Sequence, residues 1–266
     1  MVLFLSLCLF LVMLAQGAAF RPADFSATPE ARRTWRALAA KLLVLPLVAW
    51  LCGWSFGLTS AAQSGLMLLA LAPAGMGSVA FAAVTGADLP RLRRLIALST
   101  VTAIVWLPLV ASPTLDVEGV SGTISAMLLV VALPFALGMA LRPWLGAGAR
   151  WLAPGASLLS GAMILITLWY GWTASGWEVL QAVLVLALAA ALMGTLAARR
   201  AGPEGRAHAT AFALALLIVE TAVPIGLAAR LWGADFAAVA MPAALYAILS
   251  YALAILLIVT RLARRS

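Results

Sequence analysis

Long apolar runs, separated by short polar connections, make up most of this 266-residue chain. A helix needs about 20 consecutive apolar residues to cross the hydrocarbon core of a bilayer, and the runs approach or exceed that length. The pattern predicts nine membrane-spanning helices, at roughly residues 2–20, 36–56, 58–86, 93–112, 119–141, 155–175, 177–198, 208–232 and 237–260. The predicted fold class is therefore an all-α polytopic membrane protein.

Two of the predicted spans are interrupted by residues that disturb a helix. The third span contains Pro73 and Gly75, and the eighth contains Glu220 followed by Pro224 and Gly226. Paired interruptions in the two halves of a chain are typical of secondary transporters, whose broken helices cross near the middle of the membrane. Because lipid offers no hydrogen bonds, the freed backbone groups must meet protein, ligand or water. A carboxylate beside such a break indicates a functional site.

Composition and charge restrict the class of protein further. Hydrophobic residues form 65% of the chain, which is too many for a soluble globule. The net charge of +8 arises from arginines clustered in alternate connections, as orientation signals are, so no nucleic-acid partner is expected. These are Arg21, Arg32, Arg33, Arg91, Arg93, Arg94, Arg142, Arg150, Arg199, Arg200, Arg206, Arg261, Arg264 and Arg265. The intervening connections hold Asp116, Glu118, Glu178 and Asp235, with Arg230 as the one basic exception.

This charge pattern predicts an orientation in the membrane. Cytoplasmic connections are rich in arginine and lysine, which places the N-terminus outside and the C-terminus in the cytoplasm. We expect a multi-pass protein of the cell inner (plasma) membrane. The first run contains a small-residue stretch at 15–18 that resembles a signal-peptide cleavage region, but no positively charged region precedes it. We therefore predict that this run is a retained span.

No residue pattern indicates an enzyme. The chain has one histidine, His208, and two cysteines, Cys8 and Cys52, in different apolar runs. No metal-ligand spacing, phosphate-binding glycine motif or nucleophile with an adjacent base is present. The sequence thus predicts no cofactor, apart from a sodium ion or a proton as a coupling ion.

Several short motifs, taken together, resemble the bile acid:sodium symporter family. The resemblance runs from about residue 2 to residue 262. In the first half it is carried by Pro22-Ala23-Asp24-Phe25, Leu45-Pro46-Leu47-Val48-Ala49-Trp50 and Ala72-Pro73-Ala74-Gly75. In the second half it is carried by Glu220 with Gly226-Leu227-Ala228-Ala229, and by Met241-Pro242-Ala243-Ala244.

The resemblance implies an architecture. Members of the family are typically built from two inverted five-helix repeats, with a core domain that contains two broken, crossing helices and a flat panel domain. This chain resembles members that lack the first helix, although a helix encoded upstream is an open alternative. We expect a single transmembrane domain over 1–266, with a first, incomplete repeat at 1–112 and a second, inverted repeat at 113–266.

The resemblance also implies an ion-coupling site that departs from the family pattern. Family members hold sodium with glutamine, serine, asparagine, hydroxyl and glutamate side chains near the breaks. The corresponding positions here are Lys41, Ser78, Val79, Ser99, Thr102, Glu220 and Pro224. Several oxygen ligands are therefore missing, whereas a hard cation favours about six oxygens. If a sodium site survives, the resemblance implies that Glu220 and Ser78 bind the ion.

Lys41 admits two interpretations. Its ammonium group can occupy the space of a sodium ion and pair with Glu220, exchanging a proton in place of the metal. Alternatively, it can extend to the cytoplasmic interface, since it lies only five residues beyond Arg36. Both interpretations remain open at this stage.

The predicted function is secondary transport of a small organic anion by alternating access across the lipid bilayer. The N-terminal ends of the half-helices carry partial positive charge, which suits a carboxylate or sulfonate. The expected substrate-binding residues are Pro73, Ala74, Gly75, Met76, Gly77, Val79, Thr221, Pro224, Ile225 and Gly226. The alternative is a membrane sensor or binding module that keeps the fold and does not transport.

Overall fold

The computed structural model describes residues 1–25, 31–111, 119–146, 149–172, 176–200 and 206–263, and these are almost entirely helical. The helices are α1 Val2–Ala19, α2 Ala31–Phe56, α3 Ser60–Leu71, α4 Gly77–Thr85, α5 Leu89–Ala111, α6 Gly119–Met127, α7 Leu133–Leu145, α8 Ala149–Gly171, α9 Trp177–Arg200, α10 Arg206–Leu217, α11 Ala222–Trp232 and α12 Phe236–Ala263. The predicted repeat boundary at 112–113, together with Asp116, Glu118, Arg264 and Arg265, lies outside the described residues.

The chain is a multi-pass membrane protein with an all-helical fold. Over the described residues, seven helical stretches are long and apolar enough to span a bilayer. This number is smaller than the nine predicted spans for a physical reason. The pairs α3–α4 and α10–α11 are half-helices that are too short to span singly, and the stretch Ala222–Leu256 joins α11 to most of α12.

The first break lies where the sequence predicts it, whereas the second lies just before the predicted stretch 221–226, because a proline such as Pro224 is tolerated in the first turn of α11. Residues 72–76 separate α3 from α4, and residues 218–221 separate α10 from α11. Proline and glycine at the first break and proline just after the second disfavour an uninterrupted helical ladder. A smaller irregularity, the π-helical turn Leu128–Ala132, joins α6 to α7 just before Pro134.

Large apolar side chains cover the outer surface. Trp54, Trp144 and Trp169 are 80%, 78% and 83% exposed, respectively. Such exposure would be costly in water and is expected where lipid is the solvent. The surface therefore agrees with a membrane-embedded fold.

Helix α1 packs very closely against its neighbours. An added Cβ at Gly17 would lie 2.0 Å from the carbonyl oxygen of Phe135 in α7, and one at Gly138 would lie 2.0 Å from that of Leu14 in α1. Small residues let membrane helices approach this closely, and packing then replaces the hydrophobic effect as the source of association. α1 also packs against α8 and α11, so its position fixes one wall of the site described below.

Replacing Gly17 with alanine should separate α1 from α7 and destabilise the fold by about 1–3 kcal/mol, as overpacking typically does. The measurement is the thermal unfolding midpoint of the purified protein in detergent. Gly155→Ala is the matched control, because an added Cβ there has open space. Equal midpoints for the two variants would contradict the packing of α1 on α7.

Candidate functional site

The two broken helices cross at their interruptions and bond to each other through the backbone. Ala74 and Val219 form an isolated antiparallel bridge. The Gly75 N–H donates to the carbonyl of Ile218, and the Glu220 N–H donates to the carbonyl of Pro73, both at 2.8 Å. These two bonds satisfy backbone groups that each helix loses at its break.

Gly75 is required by this close approach. An added Cβ would lie 2.8 Å from the carbonyl oxygen of Val219, a backbone atom that has no freedom to move aside. A larger residue would force the two breaks apart.

The C-terminal ends of the half-helices are capped by side chains from intact helices. Lys41 in α2 donates from Nζ to the carbonyl of Ala72, directly after α3. Tyr246 in α12 donates from its hydroxyl to the carbonyl of Leu217, the last residue of α10, at 2.9 Å. Both side chains are buried. A helix C-terminus carries partial negative charge, so a donor, and above all a cation, is favourable there.

The N-terminal ends of the other two half-helices converge on Glu220. Its carboxylate accepts hydrogen bonds from the backbone N–H groups of Met76, just before α4, and Ala222, at the start of α11. Ser160 Oγ in α8 donates to Glu220 Oε1 at 3.5 Å. Helix N-termini carry partial positive charge, which compensates a carboxylate held at this point.

The hydroxyl groups expected to coordinate an ion are bonded to the backbone. Ser99 Oγ accepts from the Ala74 N–H and donates to the carbonyl of Ile96, both at 2.9 Å. Ser78 Oγ donates to the carbonyl of Gly75 at 2.7 Å. Ser99, which lies in α5, therefore stabilises the first break. Ser78 stabilises the start of α4, the half-helix to which it belongs.

Thr102, the remaining hydroxyl residue predicted for the ion site, also bonds within its own helix. Its Oγ1 donates to the carbonyl of Leu98 at 2.8 Å. It lines neither of the two cavities described below.

The structure buries Lys41 and pairs its ammonium group with a backbone carbonyl, not with Glu220. It is 3% exposed, so it does not extend to the membrane surface. Among the described residues it forms no ion pair with Glu220. Its side chain lines a cavity of about 10 Å³, room for roughly one water, together with Ala74 and Ser99. Lys41 takes this position because the carbonyl of Ala72, which has no helical partner, attracts its ammonium group on one side of the crossing. Glu220 bonds to the helix starts on the other side.

A much larger cavity, of about 760 Å³, lies against the crossing on the side of Glu220. Its lining includes the predicted site residues Gly75, Met76, Gly77, Val79, Glu220 and Thr221. α1 and α8 form other parts of the wall, with Gln16 and Ser160 as polar members. The volume is within the range of small-molecule sites.

Some residues predicted to bind substrate do not line this cavity. Pro224, Ile225 and Gly226 lie in the buried interior of α11. An added Cβ at Gly226 would lie 2.5 Å from a side-chain carbon of Leu9, so this glycine serves the contact between α11 and α1. Pro73 and Ala74 belong to the crossing itself, and Ala74 lines the small cavity beside Lys41.

The cavity wall also includes Gln16, Arg21, Arg93 and Arg142, none of which was predicted as a site residue. The arginines were interpreted only as orientation signals. Arg142 Nη1 donates to the carbonyls of Phe20 at 2.7 Å and Ala18 at 3.3 Å, which end α1. The signal that could have predicted this site was the location of these arginines in alternate connections of the sequence, because it places them on the same side of the membrane.

Removing the Tyr246 hydroxyl tests the capping of α10. In Tyr246→Phe the carbonyl of Leu217 loses its side-chain donor in a buried place, which should cost about 1–3 kcal/mol. Thermal unfolding in detergent measures the loss. Tyr170→Phe, the same change on a half-exposed residue, should leave the midpoint within error. A Tyr246→Phe protein as stable as the wild type would show that the bond does not support the break.

A comparison of the sequence with protein families identifies the chain. Residues 6–176, more than half of its length, match the family described as Sodium Bile acid symporter family. The match includes Lys41 and the first broken helix, and it ends before α9 and Glu220. A comparison with curated proteins found no match. The chain belongs to the Sodium Bile acid symporter family.

Proposed function

We propose that this protein is a secondary transporter that moves a small organic anion by alternating access at the crossing of its broken helices. The observation that carries the proposal is the position of Glu220. This carboxylate joins the starts of two half-helices from different parts of the chain and also lines the large cavity. A ligand or ion that changes the charge at this point therefore acts on both half-helices at once.

The architecture proposed for this function has nine membrane crossings. Each pair of half-helices, α3–α4 and α10–α11, counts as one crossing and adds to the intact helices. The antiparallel bridge between the two breaks supports inverted repeats at 1–112 and 113–266, with spans three to five and spans eight and nine forming the core domain around the crossing.

The acid group of the substrate is proposed to bind at the arginine end of the cavity. Arg21, Arg93 and Arg142 form no ion pair with an acidic side chain among the residues that the structure describes. The half-helix starts, which the sequence favoured as the anion site, already hold the Glu220 carboxylate. A second anion there would be repelled at short range, whereas the three guanidinium groups attract it.

The same arginines support the proposed orientation. Arg21 follows α1, Arg93 lies in the first turns of α5 and Arg142 lies near the end of α7. These positions correspond to predicted cytoplasmic connections, so the cavity opens toward the cytoplasm. The N-terminus then lies outside and the C-terminus inside, in the cell's inner (plasma) membrane.

For coupling, we propose that Lys41 supplies one fixed positive charge in place of a mobile sodium ion. Its ammonium group bonds to the carbonyl of Ala72, one of the oxygens that a cation would otherwise neutralise. The remaining coupling charge, a proton or a sodium ion, then acts at Glu220. Ser99 lines the same small cavity as Lys41.

Substitution of Glu220 tests the proposed transport site. Glu220→Gln keeps the size of the side chain and one side-chain oxygen, while it removes the charge. We expect uphill accumulation of labelled taurocholate or 3-hydroxybutyrate by proteoliposomes to fall by about tenfold or more. The control is Glu178→Gln, at an exposed position at the start of α9, which should transport normally.

The outcomes separate transport from the alternative function. Full accumulation by Glu220→Gln would contradict the assignment of Glu220. If the wild-type protein binds these anions and accumulates neither, the non-transporting sensor or binding module becomes the better account.

A further inference from the structure

Gln16 is a buried amide with no partner. It lies in α1, it is 2% exposed, and neither Oε1 nor Nε2 forms a hydrogen bond with another protein group. It lines the large cavity together with Val12 and Ala19, four residues before and three residues after it. Residues at this spacing share one helix face, so the amide is on the cavity side of α1. A buried polar group without a partner is costly and calls for an explanation.

The other polar groups of the cavity wall do not supply that partner. Ser160 Oγ lies beside Glu220 Oε1, and the carboxylate itself is bonded to Met76 and Ala222. Ser157 also has interactions of its own. The amide of Gln16 therefore has both its donor and its acceptor unpaired within the protein.

Gln16 is close along α1 to a group that suits the acid end of such a molecule. Arg142 bonds to the carbonyls of Ala18 and Phe20, two and four residues after Gln16. Four residues of helix correspond to about 6 Å along the axis. Arg21 and Arg93 add positive charge to the lining of the same cavity. A ligand that binds both Arg142 and Gln16 needs an acid group and a neutral polar group only a few bonds apart.

We propose that Gln16 is a substrate-binding residue that selects organic anions carrying a hydroxyl or carbonyl group a few bonds from the acid group. The amide of Gln16 pairs with that neutral group, and Arg142, with Arg21 and Arg93, holds the acid. This inference rests on the proposed function, since it describes the substrate of the same cavity. Plain alkyl acids then bind less well, because they leave the amide unpaired.

Matched pairs of anions that differ by one hydroxyl group test the selection. The pairs are butyrate with 3-hydroxybutyrate and succinate with malate, titrated against the full chain in detergent, with thermal stabilisation as the readout. In the wild-type protein the hydroxylated member of at least one pair should bind about tenfold more tightly. In Gln16→Leu that preference should disappear, while binding of the plain acid persists.

The control for the variant is Gln63→Leu. Gln63 is a partly buried glutamine of α3 whose Nε2 lies 3.4 Å from the carbonyl of Ala49, and it does not line the large cavity. This variant should keep the wild-type preference. Equal binding of both members of each pair by the wild type, no binding of any of the four anions, or a preference that survives in Gln16→Leu would overturn the proposal.

A second measurement is independent of the ligand and of the leucine variant. Gln16→Cys should react with the anionic reagent 2-sulfonatoethyl methanethiosulfonate, and faster than with the cationic trimethylammonium analogue, because arginines line the cavity. The wild-type protein is the control, since its two cysteines, Cys8 and Cys52, are buried and line neither cavity. No reaction above the wild-type level would show that position 16 does not face the cavity.

The two proposals fail in different ways. If Gln16 governs binding of the hydroxylated anion and proteoliposomes do not accumulate it, transport is wrong and the selection stands. If accumulation depends on Glu220 while Gln16→Leu keeps the wild-type preference, transport stands and the role of Gln16 is wrong.

Discussion

The structure depends on two backbone hydrogen bonds between the breaks of its two interrupted helices. Gly75 bonds to Ile218 and Glu220 bonds to Pro73. In lipid, a broken helix is tolerated only where other protein groups replace the lost bonds, and each break supplies part of what the other lacks. Two further carbonyls at the breaks, those of Ala72 and Leu217, accept hydrogen bonds from Lys41 and Tyr246 of intact helices.

This arrangement separates the charges at the crossing. Lys41 bonds to the end of one half-helix, and Glu220 bonds to the starts of two others. Each charge thus faces the helix pole of opposite sign, and neither requires the other as a partner. The side of the crossing with Glu220 faces the large cavity.

The sequence predicted those features that follow from local composition. Apolar runs located the helices, and proline and glycine located the break at 72–76 and placed the second break a few residues after its observed position at 218–221. The partner of Lys41 was not predictable, since it is a backbone carbonyl that becomes available only when α3 ends. For the same reason the cavity role of Gln16 was missed, because an amide in an apolar run has no visible signal until the packing of α1 places it on the wall.

The most direct test of this account is a comparison of sodium with potassium as stabilisers of the purified protein, in the wild type and in Lys41→Gln. The central claim is that the ammonium group of Lys41 already occupies a cation position at the crossing. The account predicts that stabilisation by sodium over potassium is larger in Lys41→Gln than in the wild type, because removal of the ammonium group opens that cation position. Sodium-specific stabilisation of the wild type that is unchanged in Lys41→Gln would contradict it.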